Sequence, residues 1–137
     1  MTKIHQALKG IVLLATLLFS SAAIAQEACV EIDTDLTAPR AQLYAPLIAT
    51  AAEGSTAEKV AFIFFAESGS WSVVSAYTPA SEQGYFFFET ASGAPQFKDV
   101  WGGVAEVSEQ PELVKWAETL GAPADLAACF AETAATD

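Results

Sequence analysis

The chain has 137 residues, 53% of them hydrophobic, which fits a single folded domain and excludes a disordered acidic tail. Its 17 acidic and 6 basic residues give a formal net charge of -11, with an isoelectric point of about 4.2. This charge excludes a nucleic-acid-binding protein and a protein held on anionic lipid, because too few positive groups are available to face phosphates.

The first 25 residues have the pattern of a bacterial secretory signal peptide. Lys3 and Lys9 form a basic start, residues 11–19 are a continuous apolar run, and Ala23-Ile24-Ala25 fits the small-x-small rule for cleavage. The apolar run is too short for a membrane anchor, since a spanning helix needs roughly 20 apolar residues. The pattern predicts a periplasmic or secreted domain of residues 26–137, with 4 basic and 17 acidic residues and a net charge of -13.

Two cysteines, Cys29 and Cys129, lie near the two ends of the predicted exported domain. In an oxidising compartment such a pair predicts one intramolecular disulfide. Two buried free thiols and an intermolecular bridge are the alternatives. In the chain-entropy model a loop of this length stabilises the fold by about 4–5 kcal/mol.

The first predicted element is an amphipathic helix over residues 39–53. Thr37 is a good N-cap, Pro39 suits the first turn, and Gly54 can end the helix. Apolar residues recur at helical spacing, which predicts one face packed on a core.

An antiparallel β-meander is predicted next, with strands at residues 59–66, 71–77 and 85–90. The first strand is apolar on both alternating faces, which favours a central position in the sheet. Gly69 is the residue suited to the first hairpin turn, and residues 78–83 are predicted to form a loop. Residues 91–95 form a turn-rich break in the pattern. Residues 96–101 are then either a fourth strand or an ordered loop.

Two helices are predicted to complete the domain. One spans residues 111–120 and ends at Gly121, and a short last helix runs from Pro123 through Phe130. The order of elements predicts a single α+β domain: an N-terminal helix, a three- or four-stranded antiparallel meander, and two C-terminal helices. One face of the meander is expected to pack on the first and the later helices, with Cys129 holding the N-terminal segment.

The chemistry of the predicted exported domain is limited by its lack of histidine. The one histidine, His5, lies in the predicted signal peptide, so Ser-His-Asp and Cys-His machinery and most zinc sites are excluded. No nucleotide-binding or hydrolase motif is present, and no catalytic, cofactor or metal residue is predicted. Glu31, Asp33 and Asp35 alternate as calcium ligands do, but the glycine and the final glutamate of an EF-hand loop are missing. These acids are interpreted as a solvated segment leading into a helix N-terminus.

A carboxylate-dependent hydrolase is the remaining enzymatic interpretation. Glu67, Glu82 and Glu89 lie on or beside the predicted meander, and two converging carboxyl groups can perform acid–base hydrolysis. The alternative role of these glutamates is solubility at turns and strand ends.

Aromatic side chains are concentrated in the three predicted strands, and Phe86-Phe87-Phe88 places large rings on both sheet faces. One face packs on the helices, and the other needs a cover: residues 96–110, a second copy of the chain, or a partner. The favoured interpretation is that residues 96–110 cover it and that all the rings are core. If that face is exposed, it forms a binding surface. Its expected residues are Trp71, Tyr77, Tyr85 and Phe87.

The sequence therefore favours a non-catalytic, exported binding or interaction protein. A narrower alternative is an acidic inhibitor of a basic cell-wall enzyme, because a strong negative charge attracts cationic partners. The carboxylate-dependent hydrolase is the rival class. The expected partner is a basic periplasmic protein or a second copy of the chain, without nucleic acid, membrane or cofactor.

Overall fold

The computed structural model describes residues 27–135, so the predicted signal peptide lies outside the described residues. The α+β class is as predicted, with one helix before a four-stranded sheet and two helices after it. Short 3-10 turns lie at Glu27–Cys29, Ala57–Lys59 and Val107–Glu109. The helices are α1 (Ala38–Ala51), α2 (Gln110–Leu120) and α3 (Ala124–Ala134), and the strands are β1 (Ala61–Ser68), β2 (Trp71–Thr78), β3 (Ser81–Ala91) and β4 (Ala94–Gly102).

The sheet is an antiparallel meander in the order β1-β2-β3-β4. Residues 96–101 belong to β4, which decides between the two alternatives in favour of a fourth strand. The turn predicted within residues 91–95 is present but shorter than expected, because Ala91 pairs directly with Ala94 around a two-residue turn. Ser92 and Gly93 both have positive φ, 53° and 82°, as the tight hairpin turn that matches strand twist requires.

The loop predicted for residues 78–83 is also shorter than expected. Thr78 pairs with Ser81, so Pro79 and Ala80 alone form the turn between β2 and β3. The strands therefore run to the very end of this hairpin. Gly69 has a φ of 59° in the first hairpin turn, as expected for that residue.

The helices lie on opposite faces of the sheet, which corrects the prediction that they share one face. Tyr44 and Ile48 of α1 pack with Phe65, Phe86 and Phe88. Helices α2 and α3 pack on the other face, around Phe87 and the ring of Trp71. The physical reason is the run of three phenylalanines in β3, because successive side chains of a strand point to opposite faces and each face must be buried. The sheet is thus covered by helices on both faces, and residues 96–102 form β4 within the sheet rather than a layer over it.

The prediction that the first strand is central is wrong. β1 is an edge strand, paired with β2 alone in the described part of the chain. Its apolar residues on both faces are explained by the helix layers above and below it. Its outer edge is partly closed where the Glu67 N–H donates to the Asp33 carbonyl at 2.9 Å.

Cys29 and Cys129 form the predicted disulfide, with Cα atoms 4.7 Å apart. The bridge joins the N-terminal turn to α3, and the Glu132 carboxylate accepts the Ala28 N–H at 2.9 Å beside it. The disulfide fits an oxidising extracellular compartment. Between residues 27 and 135, the structure contains no helix with the length and hydrophobicity needed to cross a membrane.

Candidate functional site

The predicted aromatic binding face is not an exposed surface. Trp71, Tyr85 and Phe87 are 6%, 4% and 0% exposed, because α2 and α3 cover them. Phe87 makes an edge-on contact with Phe130 of α3, with ring centroids 4.9 Å apart. Tyr77 alone remains on the surface, at 50% exposure. Three of the four residues expected to bind a partner therefore belong to the core.

Burial also changes the chemistry of Tyr85. Desolvation raises the pKa of its phenol above the ordinary value, and the group stays neutral at physiological pH. Its hydroxyl donates to the Thr133 carbonyl at 3.3 Å and accepts from Gln83 Nε2 at 3.2 Å. Tyr85 thus ties the sheet to α3 as a structural residue.

The three glutamates of the hydrolase interpretation have different surroundings, and Glu82 and Glu89 lie far apart. Glu67 lies 3.7 Å from the Arg40 guanidinium, and Glu89 lies 3.2 Å from the Lys98 ammonium. Glu82 and Glu89 are near opposite ends of β3, so their backbones are roughly 23 Å apart at the rise of an extended strand. Paired hydrolytic carboxyl groups lie about 5–9.5 Å apart. The fold therefore does not bring Glu82 into a catalytic pair with Glu89.

The acidic segment before α1 is held by an ion pair. Asp33 accepts two hydrogen bonds from the Arg40 guanidinium, at 2.6 and 3.0 Å, and these hold the pKa of the Asp33 carboxyl below its ordinary value. The guanidinium also lies over the Phe65 ring, 4.5 Å from its centroid. Across residues 27–135, no group of three acidic, cysteine or histidine side chains is placed to hold a metal ion.

A groove of about 470 Å³ lies at the end of the sheet, on the face covered by α1. It exists because small residues meet there across three strands: Ala76 pairs with Gly84, and Gly84 pairs with Gly102. None of these three residues has a side chain larger than a methyl group, so a depression remains above the sheet at this position. We call this feature the glycine groove, and its lining residues are Ala51, Ala52, Glu53, Ala80, Ser81, Glu82, Gln83, Gly84, Phe86, Val100, Gly102 and Gly103.

The two facing glycines have different roles. A Cβ at Gly84 would lie 3.0 Å from a methyl of Val100 and 3.1 Å from the Phe86 ring, so a larger residue there would force the side chains of the groove floor to shift. A Cβ at Gly102 would meet no atom within 4 Å. Gly102 is therefore a position where the groove remains open, and a larger side chain there would project into it.

The rim of the glycine groove is acidic. Glu53 and Glu82 are exposed, and none of the lining residues is basic. Ala51, Ala52, Phe86 and Val100 supply an apolar interior beneath these carboxylates. The combination suits a ligand with an apolar group next to a positive charge.

A second depression of about 290 Å³ adjoins the groove and shares Glu82, Gln83 and Gly103 with it. Tyr77 and Val104 extend it, and Val104 is 81% exposed. The Tyr77 hydroxyl donates to Gln83 Oε1 at 3.3 Å. Tyr77 therefore borders the groove region, although its predicted aromatic neighbours are buried.

From the sequence alone, Gly102-Gly103 is interpreted as a turn, and the glycine groove is not predicted. Gly103 does turn the chain, with a φ of 104°, but Gly102 is the last residue of β4. The signal for the groove is the pairing of Gly84 with Gly102. That signal becomes visible only once the register of β3 and β4 is known.

Comparison of this chain with protein-family models, curated proteins and solved structures finds no match. Any functional conclusion therefore rests on the geometry and charge of its own residues.

Proposed function

We propose that this chain is an exported, non-catalytic binding protein that holds a cationic partner at the glycine groove. The observation that carries the proposal is an apolar groove with an acidic rim and no basic lining residue. Its volume lies in the range of about 300–1,000 Å³ typical of ligand sites. A partner that inserts an apolar side chain and places a positive group near Glu53 and Glu82 would match it.

The charge of the whole domain supports the same class of partner. Residues 27–135 carry 16 acidic and 4 basic side chains. Two of these bases, Arg40 and Lys98, are already paired with carboxylates. The resulting negative field would accelerate association with a cationic protein. A basic cell-wall enzyme has this property, so inhibition of such an enzyme is the narrower form of the proposal.

Export of the chain is part of the proposal. The disulfide and the signal-peptide pattern of residues 1–25 support it. Intact mass of the protein recovered from the periplasm or medium is expected to begin at Gln26. Recovery of the full-length chain from the membrane fraction would contradict export by this route.

The binding site is tested by affinity capture from periplasmic extract. The wild-type protein is expected to retain a basic protein, and Gly102→Leu is expected to weaken retention because the leucine projects into the groove and obstructs it. The double variant Glu53→Gln with Glu82→Gln should weaken retention of the partner. The control is Glu112→Gln with Glu118→Gln on α2, which removes the same charge away from the groove and should have a smaller effect. Rising salt should slow association.

Two results would contradict the proposal. One is capture of a partner that Gly102→Leu retains as well as the wild type does. The other is capture of an acidic partner whose retention is unchanged by either double glutamate substitution. Thermal unfolding of each variant verifies that its fold is intact.

A further inference from the structure

On the basis of the proposed binding role, we infer that the cationic partner binds as an extended segment. It pairs with the outer edge of β4 and places an apolar side chain in the glycine groove. The class of partner is thus a basic peptide segment with alternating apolar residues, bound by strand addition.

The outer edge of β4 is available for this pairing. Within residues 27–135, β4 pairs with β3 and with no second strand. The opposite edge of the sheet differs, because the Asp33 carbonyl already accepts the Glu67 N–H of β1. The glycine groove is lined by Val100 and Gly102 of β4 and by no residue of β1, so strand addition beside the groove is directed to β4.

The features that protect an edge strand are concentrated in the first half of β4. Pro95 has no N–H to donate. Lys98 is the unpaired residue of a β-bulge, because Phe87 pairs with Asp99 and Phe88 pairs with Phe97. The second half, next to the groove, has one such feature: the Val100 N–H donates to its neighbour Asp99 Oδ1 at 2.8 Å. That hydrogen bond is exposed. A partner carbonyl can replace the carboxylate there.

Gly102 connects this edge to the groove. Because Gly102 has no side chain, nothing at that position separates a strand added beside β4 from the groove. Neighbouring strands lie about 4.8 Å apart, so a partner side chain opposite Gly102 lies one strand spacing from the groove and can enter it across Gly102. Phe97 and Val100, 41% and 38% exposed, continue an apolar strip along the same face of β4.

Charge selects a foreign segment over a second copy of this chain. Pairing two β4 edges would bring together two copies of the domain, and residues 27–135 of each copy carry 16 acidic and 4 basic side chains. Like charges at this density oppose self-association. A lysine- or arginine-rich segment instead gains attraction from Glu53 and Glu82 at the groove rim.

The test uses a capped heptapeptide of alternating lysine and leucine and two N-methylated forms of it. One form carries backbone methyl groups on its odd residues, and the other carries them on its even residues. In an added strand, alternate amides point toward β4 and away from it, so only one form blocks pairing. Binding to the full exported domain is measured by calorimetry, and amide chemical shifts locate the contact.

The parent peptide is expected to bind wild type and to shift the amides of residues 99–102. One N-methylated form should bind about tenfold more weakly or worse, and the other about as well as the parent. Gly102→Leu should weaken the parent peptide by a similar factor.

The outcomes separate the two proposals. If both N-methylated forms bind as the parent does, while Gly102→Leu still loses binding, strand addition is wrong and the cationic groove remains. If the parent peptide does not bind, or if it binds Gly102→Leu and wild type equally, the groove is not the site and both proposals are overturned.

Discussion

Tryptophan is a residue type that often anchors protein interfaces, but Trp71 of this fold belongs to the core. Its ring packs beneath the end of α2, where a Cβ added at Gly121 would lie 3.1 Å from the ring. Gly121 has a φ of 111°, so glycine at that position both ends α2 and leaves room for the indole. Substitution of Trp71 would remove a buried ring from the contact between the sheet and the helices.

We expect Trp71→Ala to lower the free energy of unfolding by about 3–5 kcal/mol, because it leaves a large cavity. Tyr77→Ala is the matched control on the same strand. Tyr77 is half exposed, so its truncation should change stability by only about 0.5 kcal/mol. Urea unfolding of both variants beside wild type measures the difference. Similar losses for the two variants would show that Trp71 is not buried as described.

The Asp33–Arg40 ion pair predicts a pH dependence. The Asp33 pKa is lowered from 3.8 by hydrogen bonds from Arg40, so the folded state favours the ionised carboxyl. A lowered folded pKa gives stabilisation that is present above the unfolded pKa and disappears as pH falls through the folded value. The contribution of Asp33 is therefore expected to be constant near neutral pH and to decline as pH falls below about 4.

This dependence is measured as the difference in unfolding free energy between wild type and Asp33→Asn across pH. The difference should shrink as the solution becomes acidic. Glu31→Gln, in the same exposed segment, is the control for a general loss of negative charge. A wild-type advantage over Asp33→Asn that grows below pH 4 would reverse the expected sign.

Among the elements, α3 and the N-terminal turn depend on each other through the disulfide. The bond joins residues 100 positions apart and lies within the core beneath the sheet. Removing it by Cys29→Ala with Cys129→Ala should cost about 2–5 kcal/mol, because the unfolded chain regains the freedom of a long loop.

Reduction provides an independent measurement of the same effect. A reductant should lower the stability of wild type to that of the double variant and leave the double variant unchanged. A loss well below 1 kcal/mol in either experiment would indicate that the packing of α3 alone holds the N-terminal turn.

The hairpins show where local patterns are informative and where they are not. Glycine between two apolar strands predicts a tight turn at Gly69, and the structure confirms it. Small residues and Pro95 interrupt the apolar pattern at residues 91–95, which predicts a longer break there than the structure has. In the fold, β3 continues to Ala91, since pairing with β4 stabilises residues that have little strand preference of their own.

At the scale of the whole molecule, acidic residues greatly outnumber basic ones, and the compact state brings them close together. We expect added salt to raise the melting temperature, because screening reduces the repulsion among these carboxylates. A series of thermal unfolding curves from about 0.01 to 0.5 M NaCl would measure this, with Debye lengths falling from about 30 Å to a few ångströms. A melting temperature that falls steadily with NaCl would instead show that ion pairs such as Asp33–Arg40 dominate.

Local features of the sequence are enough to predict the α+β class, the approximate positions of the helices and most strands, and the disulfide partners. These follow from local periodicity, from residues that begin and end helices, and from the presence of only two cysteines. Tertiary structure decided which sheet face each helix covers, that β1 is an edge strand, and that Trp71 is buried. It also created the glycine groove. The reason is that β2 and β3 carry apolar side chains on both faces, so periodicity does not distinguish the faces, and strand register alone places Gly84 opposite Gly102.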